Sequence, residues 1–203
     1  VGGNVSLYNE HGDGAIDPTP VVSMVGLIDD ANQVTRSFIA QAGESILLLG
    51  GLPHELGGSY YLQTQFGKKE GRVPEIDLAA EKKVQDFLLA QISNNSVLAA
   101  HDVSEGGLLV ALAEMLFGEA DLGLSVAFDY RGNAGRLDSL FFGESQGRVL
   151  ISVSAQNEAS ILQAAQEAGL AAQALGSTDD SARFKISVEG DEVIDTTVSS
   201  LRE

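Results

Sequence analysis

Apolar residues along this 203-residue chain fall into two patterns: short runs bounded by glycine, and longer stretches in which they return every three or four positions. The run Thr19-Pro20-Val21-Val22-Ser23-Met24-Val25-Gly26-Leu27-Ile28 is mostly apolar and β-branched, which predicts a buried strand. Ile46-Leu47-Leu48-Leu49 before Gly50-Gly51 predicts a second, central one. Ile76, Ala80, Val84, Phe87, Leu88 and Ile92 share one helical stripe, with Glu81, Lys82, Lys83 and Asp86 off it. That helix runs from Asp77 and ends at Ser93-Asn94-Asn95. Residues 97–100 then predict a strand, and Leu108, Leu112, Met115 and Leu116 a second helix with Ser104 as its N-cap. A strand at 123–128 and a short helix at 134–141 follow. Residues 147–153 predict a strand with Val149, Ile151 and Val153 on one face and Leu150 on the other. An alanine-rich helix at 157–168 precedes a closing hairpin, 184–188 and 193–195, turned at Glu189-Gly190-Asp191-Glu192. The mixture predicts an α+β fold, a mixed β-sheet layered with helices, and the composition shift at 30–43 marks a candidate domain boundary.

Composition narrows the function classes. Hydrophobic residues at 44% and charged residues at 20% are ordinary globular values, so the chain can bury a core. A formal charge of -17 repels a nucleic-acid backbone or an anionic membrane at long range, so neither is an expected partner. Phosphate binding would need Mg²⁺ or local backbone N–H groups. The absence of cysteine removes thiol catalysis and thiolate metal sites, and with no signal-like or spanning apolar segment the expected compartment is the cytoplasm.

Three segments combine glycine, amide or carboxylate groups and a turn, as phosphate and metal chemistry requires. In Gly2-Gly3-Asn4-Val5-Ser6 the glycines let backbone N–H groups approach an anion, Asn4 offers a neutral oxygen ligand and Ser6 a hydroxyl. The same residues also make a plain structural turn. In His101-Asp102-Val103-Ser104-Glu105-Gly106-Gly107 a strand ends where a helix begins, a place that favours phosphate with Asp102 holding Mg²⁺ beside it. Alternatively Ser104 and Glu105 only cap the helix, Asp102 makes a turn hydrogen bond, and His101 is a hydrogen-bonded structural histidine. In Gly143-Glu144-Ser145-Gln146-Gly147 three polar side chains bridge a helix and a strand, either as contacts to a polyol or amide substrate or as a solvated connection. Lys68, Lys69 and Arg72 read as a solvated loop, Tyr60 and Tyr61 as packing residues, and His11 and His54 lack metal-ligand spacing.

Taken together, the segments Gly-Gly-Asn-Val-Ser-Leu-Tyr-Asn-Glu, Thr-Pro-Val-Val-Ser-Met-Val-Gly-Leu-Ile-Asp-Asp, His-Asp-Val-Ser-Glu-Gly-Gly-Leu and Phe-Gly-Glu-Ser-Gln-Gly-Arg resemble, in order, the phosphoribosylformylglycinamidine synthase family. That family lies within the aminoimidazole ribonucleotide synthetase superfamily, and its members have two pseudo-symmetric halves, each with an N-terminal and a C-terminal domain. The resemblance implies that residues 1–38 end the second N-terminal, ATP-binding domain and that residues 39–203 form its C-terminal domain. On that expectation the chain begins inside a loop because most of the enzyme precedes it. The implied activity converts formylglycinamide ribonucleotide to the amidine with ATP, Mg²⁺ and ammonia from a glutaminase subunit; the remainder of the synthetase chain is the other implied partner. By resemblance Gly3 contacts ATP, Asn4 ligates Mg²⁺ and Ser6 contacts substrate, while Asp102, Glu144, Ser145 and Gln146 face a pseudo-symmetric nucleotide or metal site. The catalytic residues of the family lie outside this chain, which alone is expected to be inactive. Two other readings remain open. One is another superfamily member, such as aminoimidazole ribonucleotide synthetase, selenophosphate synthetase or a hydrogenase maturation factor, against which residues 4–10 argue. The other is a non-catalytic domain that binds a nucleotide structurally or docks to partner subunits.

Overall fold

The computed structural model describes residues 10–12, 14–16, 19–52, 55–129 and 136–203. It divides into two compact units, Val1–Ala31 and Asn32–Glu203. The first contains a minimal hairpin, β1 (Glu10–His11) against β2 (Gly14–Ala15), and the run at 21–28. That run forms no strand. Val21, Met24, Val25 and Leu27 are each at least 90% exposed, so the buried strand expected at 19–28 is not found. A strand exists only through its ladder, and among the described residues nothing pairs with this segment.

The second unit is built on β3 (Glu44–Leu49), buried at every position. Its pattern is continuous because both faces are covered: Ile46 and Leu48 enter one apolar cluster, Leu47 and Leu49 the other. The remaining strands are β4 (Ala99–Asp102), β5 (Gly123–Phe128), β6 (Val149–Ser154), β7 (Ala172–Asp179), β8 (Arg183–Val188) and β9 (Asp191–Thr197). They form one seven-stranded sheet in the order β4-β6-β3-β7-β5-β8-β9, with β5 and β8 parallel and the other pairs antiparallel. Val149, Ile151 and Val153 share one face of β6 and Leu150 takes the other, as the alternation predicts.

Among the described residues six α-helices flank the sheet or its loops: α1 (Tyr60–Phe66), α2 (Leu78–Ser93), α3 (Gly107–Glu114), α4 (Leu137–Phe142), α5 (Glu158–Glu167) and α6 (Val198–Leu201). Asp77 caps α2 by accepting from the Ala79 and Ala80 N–H groups, and the apolar stripe places Val84 and Phe87 in the core with Ile161 and Ala165 of α5. Helices α3, α4 and α6 cover the opposite face through Leu108, Leu112, Leu140, Phe141 and Val198. Pattern reading misses α1, α6 and β7. Tyr61 of α1 stacks on Phe142, ring centroids 4.8 Å apart, whereas Tyr60 is half-exposed and does not pack as expected. Among the described residues no helix is long and apolar enough to cross a membrane.

The difference between the two apolar runs is testable. Leu48 is fully buried and Leu27 is 94% exposed. Leu48→Ala is expected to lower the unfolding free energy of the second unit by about 2–5 kcal/mol. Leu27→Ala should leave it within about 0.5 kcal/mol of the parent. Urea denaturation followed by circular dichroism measures both.

Candidate functional site

Strands β3 and β4 run one way and their neighbours β6 and β7 the other, so the residues after β3 and β4 meet those before β6 and β7 at one end of the sheet. Two clefts open there. One, of about 580 Å³, is lined by Gly50, Glu55, Asp77 and Ser145 among others; the second, of about 350 Å³, by Asp102, Ser104, Glu105 and Glu144. Glu81, Gln146, Gly147 and Arg148 border both, so the loop before β6 is the wall between them.

Glu144 is the tie in this loop. Its Oε1 accepts from the Gly106 N–H and from the Tyr60 N–H, each at 2.9 Å. Those amides belong to the N-cap of α3 and the first residue of α1, where N–H groups lack helical partners. The position at which sequence chemistry allows a phosphate is thus taken by an oxygen of the chain's own carboxylate. Ser104 is not the N-cap: Gly106 is, with φ 79°, followed by Gly107 at φ 75°. A Cβ on Gly107 would stand 2.7 Å from the Gly143 carbonyl oxygen and 2.7 Å from the Phe142 carbonyl carbon, so only glycine lets α3 start this close to the loop.

Ser145 and Arg148 fix the loop from within. The buried Ser145 hydroxyl donates to Glu55 Oε2 at 2.9 Å. Arg148, 3% exposed, donates from Nε to the Ser145 carbonyl at 2.9 Å and from Nη2 to the Gly143 carbonyl at 2.6 Å. Burial pushes its guanidinium down to about 10, and the charge of Glu55 works against that shift. Arg148 therefore stays protonated at neutral pH. Sequence reading singles out neither Glu55 nor Arg148 as a site residue. Arg148 carries a signal, as a basic residue at the start of an otherwise apolar strand, whereas Glu55 lies 90 residues from its serine partner.

The structure brings Asp102, Glu144, Ser145 and Gln146 to the same end of the sheet but engages them differently. Gln146 is exposed between the clefts. Asp102 has a side chain 74% exposed, and its carbonyl accepts from Nδ1 of His101 at 2.7 Å. His101, with its Nε2 3.3 Å from a Glu114 carboxylate oxygen, is a hydrogen-bonded histidine of the β4–α3 contact. Gly3, Asn4, Ser6 and His54 lie outside the described residues. Among the described residues there is no group of three or more histidine, aspartate or glutamate side chains placed to hold a metal ion. Mg²⁺ carried with a nucleotide needs only one or two carboxylates beside the phosphates, a donor that the exposed Asp102 can supply.

Residues 41–189, most of the chain, match the family described as AIR synthase related protein, C-terminal domain. The chain belongs to that family. Phosphoribosylformylglycinamidine synthase subunit PurL of Rhodospirillum rubrum is 43% identical over 182 residues, covering 88% of this chain and 24% of that protein. The subunit of the same name from a Thermoanaerobacter species is 37% identical over 204 residues, covering 100% of this chain and 27% of its own. This chain thus spans about a quarter of those relatives' length. Among solved structures, Thermotoga maritima PurL complexed with FGAR superposes with a TM-score of 0.74 at 22% identity, over 84% of this chain and 30% of that one. The complex of the same protein with ATP gives 0.68 at 22% identity, over 84% and 27%. At that identity the likeness establishes the fold, and it is the α+β fold of a mixed sheet layered with helices that the sequence predicts.

If Glu144 ties α1 to α3, its acceptor oxygen matters more than its charge. Glu144→Ala should cost about 1.5–3 kcal/mol, the range for hydrogen bonds to a charged group, and Glu144→Gln, which keeps an oxygen, less than half of that. Chemical denaturation of the two variants beside the parent decides it; equal losses would contradict the tie.

Proposed function

We propose that this chain is the C-terminal part of a phosphoribosylformylglycinamidine synthase. The observation that carries the reading is the identity to curated subunits of that name along essentially the whole chain, 43% over 88% of it and 37% over all of it. On this reading residues 1–38 close the second ATP-binding N-terminal domain and residues 39–203 are the C-terminal domain beside it. The complete protein is an ATP-dependent carbon–nitrogen ligase of de novo purine biosynthesis in the cytoplasm. It converts formylglycinamide ribonucleotide to the amidine: ATP activates the amide oxygen as a phosphate ester, and ammonia from a glutaminase subunit displaces it. A further Thermotoga maritima structure, that of PurLQS, supports a multi-subunit assembly of this kind.

Within that protein the residues of this chain bind and position. Gly3 contacts ATP, Asn4 supplies a neutral oxygen to Mg²⁺, and Ser6 contacts the substrate. Mg²⁺ offsets the charge of the transferring phosphoryl group when bound. The loop of Glu144, Ser145 and Gln146, with Asp102 across the smaller cleft, forms the pseudo-symmetric nucleotide site. There the exposed Gln146 amide can both donate and accept, while Oε1 of Glu144 and the Ser145 hydroxyl are already engaged within the chain.

Two measurements test the reading. The complete synthase should form the amidine from formylglycinamide ribonucleotide, ATP and ammonium salt, and the 203-residue chain alone should not exceed a protein-free blank. Turnover by the chain alone would overturn its place as a fragment. In the complete synthase, Asn4→Ala should raise the Mg²⁺ concentration needed for half-maximal rate by about tenfold to a hundredfold, the equivalent of losing one charge-assisted contact. An unchanged Mg²⁺ midpoint and rate would remove Asn4 from the metal site.

A further inference from the structure

Arg148 is the only buried basic side chain among the described residues. A guanidinium is costly to remove from water, and an apolar residue of similar volume could fill the same space. Its donors are spent on backbone: Nε on the Ser145 carbonyl and Nη2 on the Gly143 carbonyl. Its own carbonyl accepts from the Val103 N–H at 3.0 Å, which joins β6 to the end of β4. The planar fork therefore grips two carbonyls that bracket Glu144, fixing the backbone from the inner side. From the outer side the same stretch is held by Glu144 on the Tyr60 and Gly106 amides and by Ser145 on Glu55. Gln146, next along, has no such hold among the described residues and stands between the two clefts.

We propose that Arg148 is a positioning residue: it sets the backbone of residues 143–147 so that the Gln146 amide is presented to a ligand of the nucleotide class lying across the clefts. This rests on the reading of that loop as a nucleotide site. Arg148 touches no ligand itself. It acts through the two carbonyls, and a lysine, with one compact ammonium, cannot reproduce the fork.

The experiment uses the 203-residue chain as wild type, R148A, R148K and Q146A. Amide hydrogen exchange is read at residues 144–147 against β3 and β6, and Mg·ADP is titrated into each protein. In R148A the loop amides should exchange about tenfold or more faster while the two strands keep their protection, and R148K should fall between. Methylguanidinium added to R148A should restore loop protection where methylammonium at equal concentration does not. Mg·ADP affinity should fall about tenfold in R148A, and in Q146A should fall with loop exchange unchanged. Loop exchange equal to wild type in R148A and R148K overturns the proposal, and so does acceleration spread evenly over β3 and β6. Should R148A not fold, loop exchange in R148K decides. A wild-type chain that does not bind Mg·ADP would sink the nucleotide reading, and the positioning role would then be decided by exchange and methylguanidinium rescue alone.

Discussion

A strand with no polar face cannot sit at the border of a domain, and β3 is such a strand. With Ile46 and Leu48 on one side and Leu47 and Leu49 on the other, all fully buried, the chain must supply two covering layers. Helices α2 and α5 make one layer, and α3, α4 and α6 the other. Covering both faces of β3 leaves its ends for polar chemistry. The antiparallel pairing of β3 with β6 and β7, and of β4 with β6, then brings four loops to one of those ends. The clefts lie where the constraint leaves room.

At that end the fold solves an electrostatic problem with its own groups. Helix starts leave N–H groups without partners, and a chain of charge -17 has carboxylates in excess, so Glu144 meets the amides of two helices at once. The buried guanidinium of Arg148 meets carbonyls and the charge of Glu55 instead of water. A loop fixed this way has little freedom of its own. The same pre-organisation that limits its motion spares a ligand the ordering cost on binding.

Most of the sheet is legible because its strands carry their evidence locally. The pattern predicts β5 at 123–128, where it is found, and places helices at 77–93 and 157–168, within a residue or two of α2 and α5. β7 is not legible. Its sequence, Ala-Gln-Ala-Leu-Gly-Ser-Thr-Asp, has only Leu175 and Thr178 buried, and it is a strand because β3 and β5 pair with it on both sides. Its Gly176 belongs to that pairing: a Cβ there would stand 1.9 Å from the Ser125 carbonyl oxygen. The opposite error, at 21–28, arises from an apolar run with no ladder to join. In the site, the loop of Glu144 to Gln146 stands out by its residue types. The cap that Glu144 provides across 38 residues does not, since helix starts are read from neighbours such as Ser104. Partners that are distant in sequence and polar by type leave no periodic trace.

Because β3 divides the core into two clusters, residues that are adjacent in the chain live in separate neighbourhoods. Leu47 shares its surroundings with Val84, Phe87 and Ile161, and Leu48 with Leu108, Leu112 and Leu140. A change of volume at one is compensated on its own side of the sheet and is nearly invisible to the other. Over evolutionary time the two halves of this interior can drift independently. Covariation among relatives should accordingly tie Leu47 to α2 and α5 and Leu48 to α3 and α4, leaving the two neighbours uncorrelated with each other.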